Sequence, residues 1–351
     1  MSSIVFIAPG NSIHSFKWIS SVSKLYDGDI YWISFFGNEY SIPGVKQIVL
    51  KKNIKGIINS ILFIKKYVKG IIHIHSLGFH LLFFFFVFFS LKNKIICTPW
   101  GSDLIYGRLN SIKKLLLKNI FKRSALITCD ALFIKKLIKS IYPLAKVKLI
   151  YFGIDTDKFF FQKRKLFKKK ILKLLSIRNL DEIYNIESII KMIEIVTLKG
   201  LNVKLSIYGD GLLREQLKKL VSDKSLNDKI SFLGRYSQKN LVNILAQHDL
   251  YISMARSDAG IASSTAEAMA TGMICLISDV AENYLWISHK VSGFLIKDND
   301  SNDLAKYIEL IVNGKVNLKN LGINARNKIT TDNSIYKEMK KMSKIYRELI
   351  C

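Results

Sequence analysis

Short apolar runs alternate with helix-like runs along almost all of this 351-residue chain. No other feature limits its possible folds as much. Residues 4–8, 30–34, 71–75, 94–98, 125–129 and 147–151 have strand length and composition, and 45–50 reads as another strand. Helix-like segments lie between them at 13–26, 54–68, 111–122 and 132–140. Strands joined through helical crossovers imply parallel βαβ units and a doubly wound sheet. Residues 157–170, DKFFFQKRKLFKKK, interrupt the pattern with charge, and the alternation then restarts. Strand-like runs recur at 171–176, 203–208, 230–233, 249–254, 273–277 and 293–296. Helix-like runs recur at 186–198, 212–221, 241–246, 265–271 and 303–312. The last segment has Ile335, Met339, Met342, Tyr346 and Leu349 on one helical face. A chain of this length suits two domains. The expected class is α/β: two Rossmann-like doubly wound domains facing a cleft. Their expected bounds are 1–158, a linker at 159–170, and 171–333, with a final helix at 334–351.

The stretch 253–287 concentrates the chemistry. A buried strand ends near Met254, a loop of small residues follows, and a helix is expected from Thr265 to Thr271, stopped by Gly272. A second strand comes next. Loops at the carboxyl ends of such strands are where open α/β sheets bind ligands. A helix N-terminus there presents free N–H groups to an anion. Glu267 is expected in the first turn of that helix.

Charge narrows the partners. The formal net charge is +27, with 29 Lys/Arg against 7 Asp/Glu in residues 1–170 and 25 against 20 in the remainder. A basic surface attracts nucleic acid, anionic membrane or anionic substrates. AT-rich coding, which enriches Lys, Ile, Phe and Asn together, accounts for part of the excess but not for its position. Cys97, Cys129, Cys275 and Cys351 form no C-x-x-C pair, which suits a reducing compartment and neither a disulfide framework nor a zinc site. The N-terminus reads as a first strand rather than a signal peptide. The Phe-rich run at 81–89 is shorter than a membrane span needs and reads as a buried or interfacial helix.

Several segments together resemble the retaining GT-B glycosyltransferases of the glycosyl transferases group 1 family, which builds bacterial polysaccharides. They are Asn11-Ser-Ile-His14 with Trp18, Ile72-His-Ile-His75, Trp100-Gly-Ser-Asp103, and Tyr151-Phe-Gly-Ile-Asp155 with Phe159. In the second half they are Gly209-Asp-Gly211, Phe232-Leu-Gly234 and Glu267-Ala-Met-Ala-Thr-Gly272. The order covers essentially the whole chain. Two departures stand out. In the family's Glu-x7-Glu donor signature Glu267 matches the second Glu, but Ala259 stands at the first, with Asp258 the nearest carboxylate. In the family's Arg-x4-Lys pair Arg178 matches the Arg, but Tyr184 and Asn185 lie nearest the Lys position.

The resemblance implies transfer of a sugar, with retention, from a nucleoside-diphosphate sugar. Arg178, Glu267 and His75 are the candidates at the reacting centre. The donor would be held by Tyr184, Asn185, Gly209, Asp258, Gly260, Ile261, Ala262, Ser263 and Glu267. Asn11, His14, Trp100 and Asp103 would face the acceptor, and the last helix would pack back across the cleft. No metal or other cofactor is implied. An acceptor glycan on a polyprenyl diphosphate fits the basic, Phe-rich first half, with the enzyme held at the anionic inner surface of the cell membrane from the cytoplasm. Structural readings stand beside these. Ser264-x-x-Glu267 is also a capping box, Arg178 a surface ion-pair residue, and Trp100 a packing residue. Gly209-Asp-Gly211 is also an architectural turn. His75 is also a satisfied core histidine, as is His73, expected on the opposite face. A nucleotide-sugar 2-epimerase of the same fold is the alternative enzyme. A nucleic-acid-binding protein rests on charge alone, without a recognition motif, and nucleic acid is not expected as a partner.

Overall fold

The computed structural model describes residues 2–35, 37–51, 53–77, 91–105, 111–164, 171–258 and 260–350. The Phe-rich run, residues 165–170 and Ala259 lie outside the described residues. Two compact units form: residues 1–153 with 335–351, and residues 154–334.

The first unit has β1 (Ile4–Ile7), β2 (Ile30–Ser34), β3 (Val45–Val49), β4 (Ile71–His75), β5 (Lys94–Thr98), β6 (Leu126–Cys129) and β7 (Val147–Leu149). They pair in parallel in the order β3-β2-β1-β4-β5-β6-β7. β1, β2 and β4 are buried along their whole length. A sheet covered on both faces needs this, and it is why these strands read as continuous apolar runs. The helices are α1 (Ile13–Ser23), α2 (Ile54–Tyr67), α3 (Gly101–Ile105), α4 (Ser111–Arg123) and α5 (Leu132–Ile141). Ser12 caps α1 through the His14 amide, and Asn53 caps α2 through the Gly56 amide.

The second unit has β8 (Leu172–Ile177), β9 (Val203–Tyr208), β10 (Ile230–Gly234), β11 (Leu250–Ser253), β12 (Ile274–Ser278) and β13 (Phe294–Ile296). Their order is β10-β9-β8-β11-β12-β13, again parallel. Its helices are α6 (Ile186–Leu198), α7 (Arg214–Asp223), α8 (Leu241–Ala246), α9 (Ser263–Ala270), α10 (Asn283–Trp286), α11 (Ser301–Val312) and α12 (Leu318–Asp332). The last helix, α13 (Ile335–Ile350), belongs to the first unit.

The apolar stripe of α13 explains that return. Met339, Met342 and Tyr346 enter the core that contains Trp18, Ile19 and Trp32. The Tyr346 hydroxyl lies 2.5 Å from His73 Nδ1, and His73 Nε2 lies 2.7 Å from Thr98 Oγ1. Thr98 meets Thr128 at 2.5 Å. A buried polar chain thus joins α13 to β4, β5 and β6. At the junction Gly153 has φ +76°, and a Cβ on it would come within 2.4 Å of the Ile335 backbone. Only glycine fits both demands.

α12 was not expected from the sequence. Its buried residues, Leu318, Leu321, Ala325 and Ile329, keep helical spacing, but Asn, Thr and Gly between them hide the stripe. Gly322 has a packing reason: a Cβ there would meet the Gly272 carbonyl oxygen at 2.6 Å.

The strand order reverses between β1 and β4 in one sheet and between β8 and β11 in the other. Those reversals mark the ligand crevices of open α/β sheets. Among the described residues no helix is long and apolar enough to cross a membrane.

Candidate functional site

Arg178 follows β8 directly, at the reversal in the second sheet. Its Nε donates to Ser253 Oγ at the end of β11, 2.8 Å away, and its Nη2 donates to Asp258 Oδ2 at 2.9 Å. The guanidinium carbon lies 5.4 Å from the centre of the Tyr184 ring. The Arg178 and Asp258 side chains are only 9% and 11% exposed, so this is a nearly buried pair and not a surface one. Burial opposes the charge on Arg178, but Tyr251, Asp258 and Tyr184 outweigh it and raise its pKa. Burial likewise raises the pKa of Asp258 against the pull of Arg178 and a hydrogen bond from Asn283.

The loop after β11 leads through Gly260, Ile261 and Ala262 to α9, which starts at Ser263, two residues earlier than expected. Glu267 therefore sits in the second turn and not the first. The capping-box reading fails as well. The N-cap is Ala262, and Ser264, inside the helix, lies 2.7 Å from the Tyr251 hydroxyl. Glu267 is buried, 1% exposed. Its charge, behind burial and ahead of Tyr251, raises the pKa of Tyr236. Tyr236 and Tyr251 thus both interact electrostatically with Arg178. Sequence reasoning missed both, because a tyrosine in or beside a strand reads as core.

Glycines set how closely these loops approach. Gly209 has φ +144°, and a Cβ on it would meet the Arg178 carbonyl oxygen at 2.0 Å. Its contribution is to seat the backbone that presents Arg178. Asn185 is buried in the left-handed region, φ 49° and ψ 48°, where α6 begins, a conformation Asn tolerates. Two arginines fix the other end of α9. Arg164 donates to the carbonyls of Leu245 at 3.1 Å, His248 at 3.2 Å and Thr271 at 2.8 Å. Arg326 donates to those of Ala270 at 2.6 Å and Thr156 at 2.9 Å, and to that of Phe159. Both satisfy carbonyls that a helix leaves open at its C-terminus. Burial lowers the Arg164 pKa to about 10.

In the first unit the expected acceptor residues follow two strands, β1 and β5, and His75 ends β4 between them in the sheet order. Asn11 is exposed in the loop after β1, and His14 lies in the first turn of α1. The His14 ring is 5.9 Å from Trp100 and 5.1 Å from Phe152. Burial, with Lys17 second, lowers its pKa to about 4, so it is neutral at pH 7. The Asp103 carboxylate accepts from Ser76 Oγ at 3.0 Å and from the Leu77 and Trp100 amides at 2.7 Å each. It ties the end of β4 to the end of β5 and so shapes this loop. His73 and His75 share a face, contrary to expectation, since residues i and i+2 of a strand point the same way. Their ring centres are 4.4 Å apart. His73 is the satisfied core histidine. His75 is fully buried with neither ring nitrogen partnered among the described residues, and burial lowers its pKa to about 3. The indole nitrogen of Trp100 is also buried without a partner. Unpaired buried polar atoms at a strand end are uncommon in folded proteins.

Residues 157–328 match the family model described as Glycosyl transferases group 1. The chain is similar to the amylovoran biosynthesis glycosyltransferase AmsK of Erwinia amylovora, 25% identical over 74% of this chain and 65% of that protein. It is also similar to the UDP-Gal:alpha-D-GlcNAc-diphosphoundecaprenol alpha-1,3-galactosyltransferase of Escherichia coli, 28% identical over 41% of this chain and 36% of that protein. Each match thus spans less than two thirds of the relative. Among solved structures, Anabaena Alr3699/HepE in complex with UDP shares the fold, with a TM-score of 0.80 at 15% identity over 99% of this chain and 100% of that one.

The buried Arg178–Asp258 pair makes a stability prediction. Arg178→Ala leaves a buried carboxylate without its cation and should cost about 3–5 kcal/mol. The double variant Arg178→Ala/Asp258→Ala should cost less than the sum of the two single variants in denaturant unfolding. Additive losses would show that the two groups do not interact.

Proposed function

We propose that this chain, whose residues 157–328 match the glycosyl transferases group 1 model, transfers a sugar with retention from a nucleoside-diphosphate sugar to a lipid-linked glycan. One observation carries the donor half: Arg178, Ser253, Asp258 and the start of α9 converge at the reversal of the matched unit's sheet.

The chemistry follows from those groups. The bond between the anomeric carbon and the diphosphate breaks, charge grows on the leaving oxygen, and the sugar becomes oxocarbenium-like. Arg178 and the amides of Gly260 to Ser263 stabilise the departing diphosphate. Glu267 accepts the ribose hydroxyls. The acceptor oxygen attacks the face the diphosphate leaves, and its proton passes to the leaving phosphate oxygen. Within the first unit, His75 and Trp100 offer their unpartnered nitrogens to the acceptor, with Asn11 and His14 on the loop and helix that follow β1. No metal is needed, because a guanidinium and a helix N-terminus supply the positive potential.

The acceptor reading draws on the similar E. coli galactosyltransferase, whose own name specifies a diphosphoundecaprenol acceptor. The surface of the first unit agrees with it. α2 exposes Ile58, Leu62 and Tyr67 beside Lys55, Lys65 and Lys66, and α4 exposes Ile112 and Leu115 beside Lys114 and Lys118. Exposed apolar side chains among lysines suit an anionic bilayer surface, and the enzyme would work there from the cytoplasm.

Two experiments test this. Screening UDP- and GDP-sugars with a polyprenyl-diphosphate glycan should find one donor that is turned over, unaffected by a chelator. Glu267→Gln should lower that turnover about 10- to 100-fold, the loss of a hydrogen bond to a charged group. Sugar isomerised without any acceptor would mean an epimerase instead. In flotation with anionic vesicles the protein should bind at low ionic strength and detach as salt rises. A protein that never binds would remove the membrane from this reading.

A further inference from the structure

We propose that Asp258 is a built-in competitor for the donor's diphosphate: its carboxylate occupies Arg178, and a nucleoside diphosphate binds by displacing it. This rests on the donor reading above and deepens it.

Arg178 is the cation the diphosphate would have to use, and it is already engaged. Ser253 takes its Nε at 2.8 Å, Asp258 takes Nη2 at 2.9 Å, and the Tyr184 ring covers it at 5.4 Å. With side chains 9% and 11% exposed, the pair presents almost no net charge to an arriving anion. The family's second cation is missing nearby. Tyr184 and Asn185 stand where a second cation was expected, and the guanidinium of Arg256 is exposed and turned to Glu182 at 3.2 Å. A carboxylate and a phosphate sharing one guanidinium in a poorly hydrated site repel each other strongly. One of them must leave.

The contact is built to be exchanged. The pair meets through one Nη2–Oδ2 hydrogen bond and not a two-pronged fork. A diphosphate, with more oxygens and more charge, forms the stronger set of charge-assisted bonds. Asp258 lies on the loop that leads into α9, so its release loosens the segment whose amides face the phosphates. Run backwards, the same exchange helps expel the nucleoside diphosphate after the sugar has gone.

The sign of one mutation separates competitor from support. The dissociation constants of UDP, GDP and inorganic pyrophosphate are measured for the full chain and for Asp258→Asn, with melting temperatures with and without ligand. Asp258→Asn should melt earlier without ligand, because Arg178 loses its counter-ion. It should bind the nucleoside diphosphate about tenfold more tightly, equivalent to about 1.4 kcal/mol. The ligand should then raise its melting temperature by more than it raises that of the unmodified protein. Uridine and guanosine, which lack phosphate, should bind both proteins alike. Asp258→Ser is read in the same way if Asp258→Asn does not fold. Equal or weaker diphosphate affinity in the folded variant overturns the proposal and leaves the donor reading standing. If neither the unmodified protein nor a variant binds any nucleoside diphosphate, both fall.

Discussion

In a parallel sheet covered on both faces a buried polar side chain needs a partner, and that constraint organises this molecule. β1, β4, β11 and β12 are buried end to end. Polar groups are pushed to where the strands stop, and the reversal of strand order opens a crevice at that end. Arg178 and Ser253 stand there in one unit, and His75, Trp100 and Asp103 in the other. Within β4 the one conspicuous exception, His73, is reconciled by three hydroxyls in series, from Tyr346, Thr98 and Thr128.

The donor region depends on support from behind. α9 carries Glu267, and its N-terminus faces the loop that holds Asp258. Its C-terminal carbonyls are held by Arg164 and Arg326, which also grip the segment from Thr156 to Gln162. Gly272 and Gly322 let α12 lie close against it. The opening residues of the second unit are therefore fastened to the helix that carries Glu267. Precision at the ligand end of such a helix depends on rigid packing of this kind.

Much of this was legible in the sequence. Continuous apolar runs gave away the strands, because burial on both faces demands them, and the stripe of α13 showed a buried face. Arg178 and Asp258, separate candidates in the sequence, meet in one hydrogen-bonded pair. What escaped has physical causes. α12 hides its stripe among Asn and Thr. α3 and α10 are too short for periodicity to register. The start of α9 is set by Ala262, a residue without a capping side chain. Propensity also cannot say whom an arginine meets. That Arg178 binds Asp258, and that Asp103 holds backbone amides, follow from where the loops fold. Neither could be read from spacing.

The central claim is that a nucleoside-diphosphate sugar sits at the ends of β8 and β11. Amide hydrogen exchange of the full chain, with and without a saturating nucleoside-diphosphate sugar, tests it most directly. Exchange should slow at residues 178–185 and 260–267, with the strands of the same unit nearly unchanged. Protection confined to other parts of the chain, with these two segments exchanging as before, would contradict it.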